Sequence, residues 1–175
     1  MNLDYFIIEE DPRTPNIVNI HKPNLTQIIL SIKHGTYDLL AESEVIVVEP
    51  GEFNAYPDVL SHQIFMVQKH IMEAIGIFHD DMHYNTMYLM DRVNRIMVPY
   101  YIPNLDFIQY SEVHCNNRKL GSIRIKRKDI SQKNIFQLAN NKKIFVVISL
   151  ALAEVILRRS PKNILLTRVT VESEE

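Results

Sequence analysis

The chain has 175 residues, 46% of them hydrophobic and 23% charged, with a formal net charge of −2 at pH 7. This composition is ordinary for one folded domain, and it excludes a disordered chain, a collagen-like chain and a disulfide scaffold. No apolar run reaches the roughly 18 residues of a membrane-spanning helix, so we expect no membrane partner. Residues 1–4 lack the basic region and apolar core of a signal peptide, and the single Cys115 favours a reducing compartment. Both observations predict a cytoplasmic protein.

The N-terminal third mixes strand signals with turn signals. Residues 3–9 are rich in aromatic and β-branched side chains, which predicts a strand. Two prolines after it predict its end, because proline has no backbone N–H to donate to a neighbouring strand. Residues 24–48 are ambiguous between helix and strand, although 45–48 is typical of a strand. Residues 49–61 contain proline and glycine and predict a loop.

The middle of the chain predicts a helix followed by a hairpin. Ile64–Val67 is typical of a short buried strand, and Lys69–Ile75 continues as a helix that ends near Gly76 in a left-handed cap. Tyr84–Asp91 alternates with the period of a strand, and Ile96–Ile102 returns beside it. Two prolines in the return strand predict that it is short or lies at an edge.

The C-terminal third has the clearest periodicity. Ser122–Lys128 alternates isoleucine with basic residues, and Ile144–Ile148 is the continuous apolar run of a central strand. Ser149 offers a side-chain cap to a helix over Leu150–Arg159, and Ile164–Val171 predicts a closing strand.

A similarity between two segments of the chain, which we call the internal echo, bears on the fold class. Ile64–Val67 and Ile144–Val147 each precede a helix and then a strand, at an offset of 80 residues, although two short apolar runs also match by coincidence. We therefore predict one α+β domain over residues 1–175, with a single mixed or antiparallel sheet and two main helices. The echo would add two strand–helix–strand units that share the sheet.

Charge is spread unevenly along the chain. Residues 1–60 carry ten acidic and three basic side chains, residues 61–117 carry six and three, and residues 118–175 carry five and thirteen. Either the segments pack together and neutralise each other, or one acidic face and one basic face steer partners. The sequence leaves both interpretations open.

Three groups of residues suggest chemistry, and each also has a simpler interpretation. His79, Asp81 and His83, with His114 elsewhere, have the residue types of a metal-dependent hydrolase, but their segment is predicted to be a polar loop. Adjacent His114 and Cys115 suggest a thiolate–imidazole pair, which opposite faces of a strand would keep apart. The basic stripe consists of Arg118, Lys119, Arg124, Lys126, Arg127 and Lys128. It could follow phosphates, but it lacks stacking aromatic residues, so we expect no nucleic-acid partner.

An acidic loop offers the best candidate for a binding rim. Aromatic anchors beside charged residues are typical of interfaces, whereas an ordinary solvated loop is the simpler interpretation. The predicted partner-binding residues are Glu42, Glu44, Glu49, Glu52, Phe53 and Tyr56. No glycine-rich phosphate loop is present, so the sequence predicts no nucleotide cofactor.

Several segments together resemble a bacterial domain family that is assigned to the immunity proteins of polymorphic toxin systems. The resemblance covers most of residues 5–13 and 62–171, whereas residues 14–61 match poorly. Residues 1–61 are therefore an acidic N-terminal part and residues 62–175 a better-matched core. The segments that carry it are Tyr5–Arg13, Met87–Ile102, Lys128–Ile130, Asn134–Leu138, Val146–Glu154 and Ile156–Arg159.

The resemblance implies a function without reaction chemistry. It implies an α+β fold, no catalytic residues, no cofactor and a cytoplasmic protein that neutralises a cognate protein toxin by binding it. A metal-dependent hydrolase or a nucleic-acid binder that uses the basic stripe is the alternative, and an oligomer stays open.

Overall fold

Two β-sheets and three α-helices make up the part of the chain that is described. The computed structural model describes residues 4–20, 25–108, 112–116, 119–124, 130, 133–139 and 144–172. The α+β class is confirmed, but the prediction of a single sheet is wrong, because the strands divide into sheets of seven and five. The cause is long-range pairing: β1 (Tyr5–Glu10) pairs with two strands from the far end of the chain, whereas strands from residues 43–103 pair with one another.

The seven-stranded sheet contains both ends of the described chain. Its strands, in order across the sheet, are β7 (Phe107–Ile108), β10 (Ile135–Ala139), β11 (Ile144–Ser149), β1, β12 (Ile164–Glu172), β9 (Lys119–Arg124) and β8 (Glu112–Asn116). The predicted central position of β11 is confirmed, since β11 is antiparallel to both β10 and β1.

The five-stranded sheet is built from the middle of the chain. Its order is β2 (Ser43–Val47), β5 (Tyr84–Asp91), β6 (Ile96–Pro103), β4 (Met66–Val67) and β3 (Val59–Leu60). β2 runs parallel to β5, and β5 and β6 form the predicted antiparallel hairpin. β6 is neither short nor at an edge, which corrects the expectation drawn from its prolines. β4 pairs with β6 only at Tyr101. At Pro99, therefore, no described strand pairs with β6 on the side opposite β5.

Three α-helices accompany the sheets, and none of them is long and apolar enough to cross a membrane in the described residues. They are α1 (Leu25–Lys33), α2 (Lys69–Gly76) and α3 (Leu150–Leu157). The ambiguous segment at residue 24 onward thus begins with a helix, because Leu25, Ile28 and Ile32 fall on one buried face. Gly76 ends α2 without a left-handed cap, since Ile77 after it keeps helical angles.

The core lies between the two sheets. One apolar cluster joins Ile8 and Ile148 of the larger sheet to Val67 of the smaller one, together with the inner faces of α2 and α3. A second cluster lies under α1 against the smaller sheet. A third covers the opposite face of the larger sheet, around Phe136 and Val147.

The internal echo corresponds to two similar units that lie in different sheets. In the first, α2 connects β4 to β5, and β6 lies between these two strands. In the second, α3 connects β11 to β12, and β1 lies between them. The inserted strands, β6 and β1, are each antiparallel to both of their neighbours. Both units are therefore split strand–helix–strand arrangements. Their helices, α2 and α3, contact each other.

The predicted cap at Ser149 is confirmed and gives a first testable expectation. The Ser149 hydroxyl accepts a hydrogen bond from the Leu152 backbone N–H at 3.3 Å and lies 2.8 Å from Asn134 Oδ1. Removing a cap costs about 1 kcal/mol. Ser149→Ala should therefore lower the melting temperature by about 2–4 °C in a calorimetric scan. Ser149→Asp retains an acceptor and should stay near wild type; an equal loss in both variants would argue against a capping role.

Candidate partner-binding surface

Two of the predicted acidic residues, Glu42 and Glu44, lie at the free edge of the five-stranded sheet, and Glu52 lies in the loop beside the turn between β5 and β6. β2 is the outermost strand of that sheet and pairs with β5 alone among the described strands. Glu42 directly precedes β2, Glu44 lies within it and Glu52 follows in the next loop, and all three side chains are exposed. We call Glu42, Glu44 and Glu52 the acidic edge.

Glu49 differs from the other three glutamates because its backbone holds the loop. The Glu49 N–H donates to the carbonyl of Asn19 at 2.8 Å, and its own carbonyl accepts a hydrogen bond from Asn54 Nδ2 at 3.4 Å. Its side chain is half-buried. Glu49 therefore joins two loops at the end of β2 and belongs less to the exposed rim than the sequence predicts.

Phe53 is the most exposed large apolar side chain of the described residues, at 74%. Its loop is tied to the turn between β5 and β6, since Asn94 Nδ2 donates to the Gly51 carbonyl at 3.0 Å. A Cβ atom at Gly51 would lie 2.2 Å from Asn54 Oδ1, so a larger residue there would displace the Asn54 side chain. An exposed phenyl ring on an anchored loop is a ready contact for another molecule.

A buried carboxylate organises this loop. Asp91 is the last residue of β5 and is 1% exposed. Its carboxylate accepts five hydrogen bonds of 2.8–3.0 Å. The donors are Asn54 Nδ2, the Tyr56 hydroxyl, the Val93 N–H, and the backbone N–H and side-chain amide of Asn94. Burial opposes its ionisation, but the hydrogen bonds from Asn94, Asn54 and Tyr56 outweigh burial and hold the pKa of Asp91 well below its usual range. The carboxylate is therefore charged at neutral pH and fixes both neighbouring turns.

Tyr56 has a structural role that the sequence does not indicate. Burial and the adjacent carboxylate of Asp91 together raise the pKa of the Tyr56 hydroxyl, which donates to Asp91 Oδ2 at 2.8 Å. The half-buried ring also packs against the cluster under α1. The Tyr56 side chain thus supports the loop from within.

The outer face of the five-stranded sheet is apolar and partly open to solvent. The strand register aligns Val45 with Tyr88 and Pro99 in one row across the sheet, and Val47 with Met90 and Met97 in the next. Val45 is 47% exposed and Met97 is 48% exposed. We call Val45, Val47, Tyr88, Met90, Met97 and Pro99 the apolar face. The alternate residues Ile46 and Leu89 point into the core and are fully buried.

The alternation of residues along β5 does not predict which of its faces is exposed. Both faces of β5 carry large apolar side chains, with Tyr88 and Met90 on one and Met87 and Leu89 on the other. Alternation shows that a strand is present, but it decides which side is buried only when one side is polar. The packing of α1 beneath Met87 and Leu89 decides it here.

The end of the hairpin extends this surface with side chains of both kinds. Val93 is 54% exposed and Ile96 is 43% exposed, beside the loop that carries Phe53. Arg92 and Arg95 are exposed at the same turn. Charges of both signs therefore occur at this end of the hairpin, since Glu52 lies in the adjoining loop.

Two histidines of the hydrolase alternative, His79 and His83, line a shallow recess with Asp81 and Asp106. Within the described residues, no three His, Cys, Asp or Glu side chains converge as a metal site would require. The His79 Nε2 atom is buried and has no hydrogen-bond partner there, and burial lowers the pKa of His79, against a smaller opposing effect of Asp106. A neutral His79 imidazole is what we expect of a side chain packed within a loop.

The remaining predicted groups fall outside the described side chains. His114 and Cys115 lie in β8, where the pairing with β9 shifts register between them, and their side chains are not among those described. Arg124 ends β9, and Lys126 and Lys128 lie beyond the described residues.

No family model matches the chain, and no curated protein matches it significantly. The residues themselves must therefore carry any assignment of function.

Proposed function

We propose that this chain is a non-enzymatic immunity protein of the cytoplasm that neutralises a protein toxin by binding it. The observation that carries the proposal is an exposed apolar surface, the apolar face with Phe53, on a sheet whose edge strand also carries the exposed Glu44. Such a surface suits capture of a partner, because association requires apolar contacts to bury and charges to complement.

The apolar part of the surface supplies the driving force. Monomeric proteins seldom leave contiguous large side chains open, since water contact with apolar area is unfavourable. Val45, Met97 and Phe53 are each close to half exposed or more. A partner that covers them gains binding energy, and an aromatic ring near the centre of a contact is a frequent hot spot.

The charge of the surface selects a basic partner. Glu42, Glu44 and Glu52 belong to the segment of residues 1–60, in which acidic side chains outnumber basic ones ten to three. A basic cleft, as found in enzymes that act on nucleic acids, complements this edge. Long-range attraction then accelerates encounter and disfavours acidic competitors.

The rigidity of the loop favours affinity. Asp91 holds the turn at Val93 and Asn94 and the loop at Asn54 through five hydrogen bonds. A loop that is already ordered loses less conformational entropy when it binds. The surface is therefore suited to an inhibitor that acts as a preformed template.

The test uses the toxin domain that we expect the neighbouring reading frame to encode. We expect the chain to co-purify with that domain and to protect cells that express it. Replacing Glu42, Glu44 and Glu52 together by lysine should weaken the affinity by about 100-fold or more in calorimetry, since like-charge contacts cost several kcal/mol. Phe53→Ser should weaken it by about 30-fold, as for a hot-spot residue.

A matched control separates the surface from net charge. Glu73, Asp80 and Glu154 are exposed and lie outside the acidic edge and the apolar face, so their joint replacement by lysine changes the net charge equally. This variant should bind as wild type does. Equal affinity of the acidic-edge variant and wild type would contradict the proposed surface. A homodimer that Phe53→Ser dissociates would make a second copy of the chain the occupant instead.

A further inference from the structure

The hydrogen bonds between β2 and β5 fix which backbone groups of β2 face outward. At one end the Thr86 N–H donates to the Glu42 carbonyl at 2.8 Å, and at the other the Val48 N–H donates to the Met90 carbonyl at 3.1 Å. The backbone groups of alternate residues in a strand point to the same side, so the even-numbered residues of β2 face β5. The odd-numbered residues of β2 therefore direct their N–H and C=O groups away from the sheet.

Ser43 and Val45 carry outward N–H and C=O groups that no described residue bonds. Residues 41–45 are all exposed. The outer side of the strand is covered only further along, where Ile20 forms an antiparallel bridge with Val48. The first half of β2 is therefore an open sheet edge within the described part of the chain.

This edge lacks most of the devices that prevent strand addition. Natural edge strands are commonly protected by lysine, proline or a bulge. β2 contains neither residue type, and its register with β5 is continuous. A second copy paired antiparallel about Glu44 would place two glutamates directly opposite each other, which is unfavourable. The edge thus disfavours its own copy and favours a chain of opposite charge.

The two faces of β2 define the chemistry of that chain. Glu42 and Glu44 fall on one face, whereas Ser43 and Val45 fall on the other, which continues into the apolar face. Residues 35–61 contain no Lys, Arg or His, so this segment supplies no cation to the glutamates. An added strand is complementary when its basic residues lie opposite the glutamates and its apolar residues lie beside Val45.

We propose that β2 binds an extended segment of a protein partner, in which basic and apolar residues alternate, as a further strand of the five-stranded sheet. The backbone of the segment bonds the outward groups of Ser43 and Val45, and its basic side chains contact the acidic edge. In this mode of recognition main-chain hydrogen bonds provide affinity, and alternate side chains provide specificity. The identity of the partner as a toxin rests on the proposed function, whereas strand addition is tested without the toxin.

The probe is the acetylated and amidated peptide Thr-Lys-Val-Lys-Val-Lys-Thr. A titration followed by amide chemical shifts should show saturable binding. Amide hydrogen exchange at saturating peptide then reports the contact, because an added strand bonds the N–H groups of Ser43 and Val45. Exchange at these two amides should slow by about 10-fold or more, whereas the amides of Glu44 and Ile46, which already face β5, should change little.

Val45→Pro removes an outward N–H without removing a bond to β5, and edge strands accept proline at such positions. It should weaken the peptide affinity by about 10-fold, whereas Val45→Thr, which retains the N–H, should bind within about 2-fold of wild type. The fully N-methylated peptide has the same side chains without backbone donors. It should bind wild type at least about 10-fold more weakly, which gives the same test if Val45→Pro does not fold.

A charge exchange tests the choice of partner. Replacing Glu42 and Glu44 together by lysine should weaken binding of the lysine peptide by about 10-fold and create binding of Thr-Glu-Val-Glu-Val-Glu-Thr. The matched control replaces Glu73 and Glu154, which lie outside this edge, and should bind the lysine peptide as wild type does.

Three results would each overturn strand addition: no saturation, unchanged exchange at Ser43 and Val45 in the presence of peptide, or wild-type affinity in folded Val45→Pro. The toxin domain separates this inference from the proposed function. Capture of the toxin domain without slowed exchange at Ser43 and Val45 would reject strand addition alone. Peptide binding with slowed exchange, but no capture of the toxin domain, would reject the proposed function alone.

Discussion

Asp91→Ala is expected to destabilise the protein by about 3 kcal/mol and to loosen the proposed binding surface. The substitution removes an acceptor that takes five hydrogen bonds, and it leaves partly buried donors without this partner. For a chain of this length the melting temperature should fall by about 6–12 °C. Differential scanning calorimetry measures the loss of stability, and titration with the toxin domain measures the loss of affinity.

The same residue predicts a pH dependence with a definite sign. The pKa of Asp91 is lower in the folded protein than its ordinary value of 3.8. Its contribution to stability is therefore complete above pH 4 and decreases as the pH falls below that value. The difference in unfolding free energy between wild type and Asp91→Ala should be constant from pH 5 to 7 and smaller at pH 3. A difference that grows on acidification would contradict the assigned network.

Phe136→Ala is expected to cost about 4 kcal/mol, the largest loss of stability among these variants. The ring is fully buried in the cluster on the outer side of the seven-stranded sheet and packs edge-on against Tyr5, with ring centres 5.5 Å apart. Chemical denaturation should show a lower midpoint, which measures the loss directly.

Phe136→Ala also serves as a control for Asp91→Ala. Phe136 is in the other sheet, and its ring belongs to a different cluster from the residues beneath the apolar face. The fraction of Phe136→Ala that remains folded should therefore bind the toxin domain as wild type does. Phe136→Leu retains most of the buried volume and should restore most of the stability. Reduced affinity in folded Phe136→Ala would argue that binding depends on overall stability and that Asp91 has no local role.

The candidate surface was only partly predictable. The exposed positions of Glu42, Glu52 and Phe53 agree with a solvated, charged loop, whereas the exposed Glu44 lies in strand β2. Tyr56 turns inward because its hydroxyl donates a hydrogen bond to Asp91, which is 35 residues away in the chain. A local sequence pattern cannot indicate a hydrogen bond between such distant residues. The apolar face likewise depends on which side of β5 receives α1.

Local sequence patterns were enough to predict most helices and strands, because periodicity and capping depend on neighbouring residues. Alternation identified β5, the apolar run identified β11, and Ser149 identified the start of α3. The division of the strands into two sheets, in contrast, depends on contacts between distant segments. Strand pairing is a choice among distant partners of similar apolar character, and the total burial of the chain makes that choice. The same competition selected the side of the smaller sheet that stays open to solvent, and with it the proposed binding surface.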